Sequence, residues 1–108
     1  MEVKRLTDVE LLLLLSVLRA GESAHASSIQ EVLATQGERT TSLGSLYVTL
    51  TRLEERGLIE SSKGAPTAER GGKAKRFYAV TPAGLAALHR TRSVFERMWA
   101  DVPQPERG

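Results

Sequence analysis

Cysteine is absent from the 108 residues, so no disulfide framework and no thiolate zinc or iron–sulfur site can form. A reducing, cytoplasmic setting is the expectation. Histidine is nearly absent too. His25 and His89 are isolated from each other, with no nucleophile, paired carboxylate or metal-ligand spacing around them. The usual starting points for an enzyme or a metalloprotein are therefore missing, and no catalytic residue, metal or cofactor is expected. The apolar run Leu11 to Leu15 stops well short of the ~20 residues of a membrane-spanning helix, so no membrane partner is expected either. Lys4, Arg5, that leucine run and Ala24-His25-Ala26 imitate a signal peptide, but Asp8, Glu10, Arg19 and Glu22 put charges where such a signal is basic or apolar.

What remains suits one small domain, since 108 residues at 41% hydrophobic can build one core and not two. Thr7 to Glu10 has the form of a capping box and predicts a first helix over Asp8 to Arg19, stopped at Gly21. Its five consecutive leucines cover more than one helical face, more than one small domain covers. Ser27 to Gln30 offers a second cap, followed by Ile29, Val32 and Leu33 at helical spacing up to Gly37. Leu43, Leu46, Tyr47, Leu50 and Leu53 form the most regular apolar stripe and predict a third helix, with Gly57 as a left-handed stop. Gly44, Ser45, Val48, Thr49, Thr51 and Arg52 fall on its other face.

Leu58 to Ser62 and Lys75 to Val80 read as strands of a hairpin, joined by a long loop containing Gly64, Pro66, Gly71 and Gly72. Thr81-Pro82 begins a final helix that reaches about Asp101. Leu85, Leu88, Phe95, Met98, Trp99 and Val102 lie along one side of it, and Pro103 and Pro105 end it. The chain thus divides into residues 1–80, a C-terminal helix over 81–102 and a loose tail over 103–108. Its predicted fold class is mainly α with a small β-hairpin.

Charge is concentrated in one place. Arg70 to Arg76 carries four of the 15 positive charges and no acid, so against a whole-chain net of +2 the rest of the chain carries −2. Gly71-Gly72-Lys73 does not make a nucleotide-binding loop, because Thr67 stands where a glycine is needed and Ala74 where a magnesium-binding hydroxyl is needed. Three helices, a hairpin with a basic tip and a fourth helix is the order of a winged helix-turn-helix. Small residues on an exposed helix face allow close approach to base edges, and glycines among cations suit phosphate contact. The residues expected to meet DNA are Ser42, Gly44, Ser45, Val48, Thr49 and Arg52 on the third helix, and Arg70, Gly71, Gly72, Lys73, Lys75 and Arg76 on the wing.

The segments Ser42 to Leu58, Pro66 to Arg76 and Tyr78 to Gly84 closely resemble the PadR family of bacterial transcriptional regulators, and the resemblance extends over roughly residues 6–99. It implies a dimeric DNA-binding regulator, usually a repressor, with the third helix in the major groove and the wing against the backbone. Where the family commonly has Tyr-Gly at the start of the second helix, this chain has His25-Ala26. A single C-terminal helix resembles the compact branch of the family and places dimerisation on that helix. The expected interface is Leu11, Leu12 and Leu15 of the first helix with Leu88, Phe95, Met98 and Trp99 of the last. The expected partners are a second copy of the chain and a pseudo-palindromic operator in double-stranded DNA. Two rival readings stay open: a winged-helix module that binds an acidic protein, and a sensor that takes a small aromatic effector beside Trp99.

Overall fold

The computed structural model describes residues 5–64 and 75–106. The wing residues Arg70, Gly71, Gly72 and Lys73 lie outside the described residues. Helix α1 spans Asp8–Ala20 and starts as its capping box predicts, with the Glu10 amide donating to Thr7 Oγ1 at 3.1 Å and the Thr7 amide to Glu10 Oε1 at 2.8 Å. A short 3₁₀ turn over Gly21–Ser23 leads to α2 at Ala26–Thr35. The cap of α2 is His25 rather than Ser27. The His25 backbone is extended and its amide donates to Ser28 Oγ at 3.0 Å, so the helix begins early enough to bury Ala26. After α2 the left-handed backbone falls on Glu38, at φ 53°, and not on Gly37.

Helix α3 covers Leu43–Glu55. It stops at Gly57, φ 75°, where the Leu58 amide reaches back to the Leu53 carbonyl at 3.0 Å and the Gly57 amide to that of Glu54 at 2.9 Å. This paired bonding satisfies two carbonyls that a helix end otherwise leaves open. Strands β1 (Ile59–Lys63) and β2 (Arg76–Val80) pair antiparallel, in a register running from Ile59 opposite Val80 to Lys63 opposite Arg76. The Tyr78 amide also donates to the Ala24 carbonyl at 2.9 Å, which fastens the hairpin to the segment between α1 and α2.

Helix α4 spans Pro82–Trp99. Thr81 Oγ1 accepts from the Gly84 amide at 3.1 Å and donates to the Gly57 carbonyl at 2.6 Å, so one hydroxyl caps α4 and ties it to the end of α3. The core is built from Leu13, Leu14 and Val17 of α1, Ile29 and Leu33 of α2, and Leu46, Leu50 and Leu53 of α3. Ile59 and Tyr78 cover it from the hairpin and Leu88 from α4. Burial pushes the Tyr78 phenol above its ordinary pKa. The arrangement is a winged helix-turn-helix.

Two sequence expectations need correction. Leu43 and Tyr47 do not face the core: they are 40% and 48% exposed, because only Leu46, Leu50 and Leu53 lie close enough to the helix's inward line to be covered. Leu88, expected at an intermolecular interface, is buried in the chain's own core. Gly84, one turn earlier on the same face, explains the close seating of α4. A Cβ there would stand 2.2 Å from the Leu58 carbonyl oxygen and 2.7 Å from Val80 Cγ1. Gly84→Ala therefore has to push α4 off the hairpin, and is expected to lower stability by about 1 to 3 kcal/mol. A thermal melt followed by circular dichroism checks this, and a midpoint at or above that of the parent would count against the assigned packing.

Candidate nucleic-acid interface

Helix α3 presents most of its circumference outward. Ser42 is its cap and accepts from the Ser45 amide at 3.1 Å, while its own hydroxyl donates to Ser45 Oγ at 3.1 Å. Thr49 is half-buried, and its hydroxyl donates to the Ser45 carbonyl at 3.3 Å. Two of the three hydroxyls in this group thus spend their protons within the helix, and Ser45 keeps its proton for an outside acceptor. Gly44 faces open space, with only Ser42 Oγ within 4.0 Å of where a Cβ would be. Val48 is 51% exposed and Arg52 is exposed one turn further on.

The first two turns of α3 therefore offer a small, mixed surface: a hydroxyl donor, a bare backbone and a branched apolar group. This is the chemistry that fits base edges and thymine methyl groups in a major groove. Leu43 and Tyr47 widen it on one flank. Sequence reasoning misses them because their spacing matches the apolar stripe. The signal is present in Tyr47, which lies about 100° round the helix from Leu46 at 3.6 residues per turn and carries a polar tip. At the far end of α3 the surface turns acidic with Glu54 and Glu55, both exposed.

Of the wing residues, Lys75 and Arg76 are described, and both are exposed. Arg76 is not idle, since its Nη1 donates to Ser61 Oγ at 2.9 Å and Ser61 donates in turn to Glu54 Oε2 at 2.7 Å. Behind α3, Arg56 Nη1 donates to Glu10 Oε2 at 3.0 Å, joining the end of α3 to the first turn of α1. Local sequence assigns Glu10 a capping role alone. Burial works to raise its pKa, yet the Thr7 amide and the Arg56 guanidinium outweigh that, and the carboxyl ends below its ordinary value of 4.5.

On another side of the molecule, Leu11, Leu15 and Leu18 of α1 and Leu85 and Phe95 of α4 line an open apolar groove. Leu12 is half-buried against the core. Met98 and Trp99 are 76% and 68% exposed. Among the described residues no group of three His, Cys, Asp or Glu is placed to hold a metal, and no helix is long and apolar enough to cross a membrane.

Residues 14–90 match the model of the transcriptional regulator PadR-like family. The chain belongs to the PadR-like family of transcriptional regulators. A curated relative, Transcriptional regulator Rv3488 of Mycobacterium tuberculosis, is 37% identical over 83 residues, which are 77% of this chain and 73% of the relative. The fold is similar to that of a transcriptional regulator from Clostridium thermocellum, with TM-score 0.67, 22% identity and 84% and 85% of the two chains covered. It is also similar to that of a PadR family regulator from Eggerthella lenta, with TM-score 0.65, 24% identity and 84% and 77% covered. This PadR-like protein is a regulator of transcription, not an enzyme, and such regulation implies binding to DNA.

The depressed pKa of Glu10 fixes the sign of one pH effect in this regulator. Its stabilisation is complete above the unfolded-state pKa near 4.5 and is lost as pH falls through the lower folded value. Glu10→Gln is expected to cost about 1 to 2 kcal/mol at pH 7, as a charge-assisted pair becomes a neutral one, and progressively less as acid protonates the Glu10 carboxylate of the folded parent. Denaturant unfolding of both proteins at several pH values measures the difference. A gap that does not shrink anywhere in the acid range would contradict the role given to the Glu10 charge.

Proposed function

We propose that this PadR-like regulator is a homodimeric repressor that reads a pseudo-palindromic operator in duplex DNA. The observation that carries the reading is the outward face of α3, where Gly44, Ser45 and Val48 leave a helix surface low enough to enter a groove, next to a hairpin whose loop holds the basic run. In this reading Ser42, Gly44, Ser45, Val48 and Thr49 choose the sequence. Arg52 and the wing residues Arg70, Gly71, Gly72, Lys73, Lys75 and Arg76 supply backbone contacts that set register and affinity.

The second copy meets the α1–α4 face. Leu11, Leu15, Phe95, Met98 and Trp99 are the residues with apolar surface to cover, whereas Leu12 and Leu88 support that face from beneath. Two α3 helices related by a two-fold axis enter successive major grooves, with half-sites about 34 to 36 Å apart. The assembly acts in the cytoplasm, and repression follows from occupying promoter DNA. A titration against promoter DNA at near-physiological salt, followed by fluorescence anisotropy, tests the reading. Micromolar or weaker binding to every sequence would reject it in favour of an acidic protein partner.

Two variants sharpen the test. Gly44→Ala meets no obstacle among the described residues and replaces a glycine in the first turn of α3, so it is expected to raise the stability of the fold by roughly a few tenths of a kcal/mol, less than the ~1 kcal/mol of a helix interior. The same methyl group stands between the backbone and the bases, and specific affinity should fall at least about ten-fold. A variant that is both more stable and an equally good binder would remove α3 from the base-reading role. Changing Lys73 and Lys75 together to alanine should weaken binding to all duplexes alike and reduce the salt slope by about 2, near 0.9 for each phosphate no longer neutralised. Unchanged salt dependence would show that the wing charges do not meet phosphate.

A further inference from the structure

Helix α3 is anchored by Leu46, Leu50 and Leu53, all buried, and at about 100° per residue these three occupy an arc of only about 60°. The apolar stripe of a helix lying on a core is usually about 100° wide or more. A stripe this narrow fixes the depth of the helix, but it resists rolling about the helix axis weakly. On the same wheel Glu54 lies about 80° to one side of Leu46 and Arg56 about 80° to the other. Each is tied to a different element. Arg56 donates to Glu10 of α1 at 3.0 Å, and Glu10 is itself held by the Thr7 amide at 2.8 Å. Glu54 accepts from Ser61 of β1 at 2.7 Å, and Ser61 accepts from Arg76 of β2 at 2.9 Å.

We propose that Glu10 and Ser61 are positioning residues for DNA recognition, which together set the roll of α3 from its two flanks. The effect on recognition follows from the lever arm. A roll of about 20° displaces a side-chain tip, about 5 to 6 Å from the axis, by about 2 Å, and a hydrogen bond to a base tolerates only a few tenths of an ångström. Contacts to phosphate are longer in reach and less directional, so a freely rolling α3 keeps general affinity for DNA and loses its preference among sequences. Neither residue needs to touch DNA. The inference rests on the reading of α3 as the helix that reads bases.

The test uses the full chain and two duplexes, one selected by the parent protein from a random pool and one scrambled. The quantity read is the ratio of the two affinities, taken at a temperature where circular dichroism shows every variant folded. Glu10→Ala combined with Ser61→Ala should lower that ratio about ten-fold, the discrimination carried by roughly one base pair, while affinity for the scrambled duplex stays within about two-fold. Returning a hydrogen-bond acceptor to position 10 with Glu10→Gln in the Ser61→Ala background should recover part of the ratio, which a purely structural loss would not do. Should the double variant fail to fold, Ser61→Ala alone on the hairpin is expected to lower the ratio about three-fold. An unchanged ratio, or an equal fall in both affinities, overturns the proposal. A parent protein that selects no sequence at all overturns instead the DNA-reading assignment on which it rests.

Discussion

Leu46, Leu50 and Leu53 bear on the molecule's core from a single helix, and everything α3 offers to the outside depends on that stripe being so narrow. Each leucine removed from water contributes about 1.5 to 3 kcal/mol, so three of them hold the helix in place without help from its neighbours in sequence. A wider stripe would have buried Leu43 and Tyr47 as well. That would have left the outer surface smaller, and the first two turns could not carry a hydroxyl donor, an open backbone and an apolar group side by side. The arrangement exchanges resistance to rolling for exposed surface, and polar ties at the end of the helix restore the resistance.

Those ties form where the chain has its most constrained geometry. The bonded stop at Gly57 turns α3 directly into β1, and Thr81 reaches the Gly57 carbonyl at 2.6 Å from the start of α4. Gly84 then brings α4 down on Leu58. The end of α3, both strands and the beginning of α4 are thus fixed within a few residues of one another, with Glu10 of α1 closing the group through Arg56. Both α1 and α4 thus have a bond or a packing contact at the end of α3.

Much of this was legible in the sequence, for reasons that differ from residue to residue. Thr7 with Glu10 and Thr81-Pro82 mark the starts of α1 and α4, since capping is local chemistry and needs nothing from elsewhere in the chain. Gly57 was legible for the same reason. The outward character of Gly44, Ser45 and Val48 followed from helical periodicity. Periodicity failed at Leu43 and Tyr47, because spacing identifies an apolar stripe but not how much of it the neighbouring elements reach. It failed at Leu88 for the converse reason: the close approach at Gly84 draws in a residue that looked available to a partner. The bonds from Arg56 to Glu10 and from Arg76 through Ser61 to Glu54 join residues far apart in sequence, and no local pattern announces them. Gln36, bonded to Arg19, is another tie of this kind between helices.

The distribution of charge sharpens how the proposed complex would divide its work. Outside Arg70 to Arg76 the chain carries a net −2, so the body of the protein offers DNA no general attraction, and Glu54 and Glu55 make the far end of α3 mildly repulsive. In the proposed complex the attraction comes from the wing and from Arg52. A binder with cations spread over its surface settles on DNA in many orientations; one whose cations are local settles in few. The acidic end of α3 adds to this by disfavouring poses in which the helix lies too deep or reversed in the groove. Glu54 serves twice in that scheme, as a repulsive group toward phosphate and as the acceptor that holds Ser61. Its carboxylate has a place at the end of α3 even though a helix C-terminus does not itself favour negative charge.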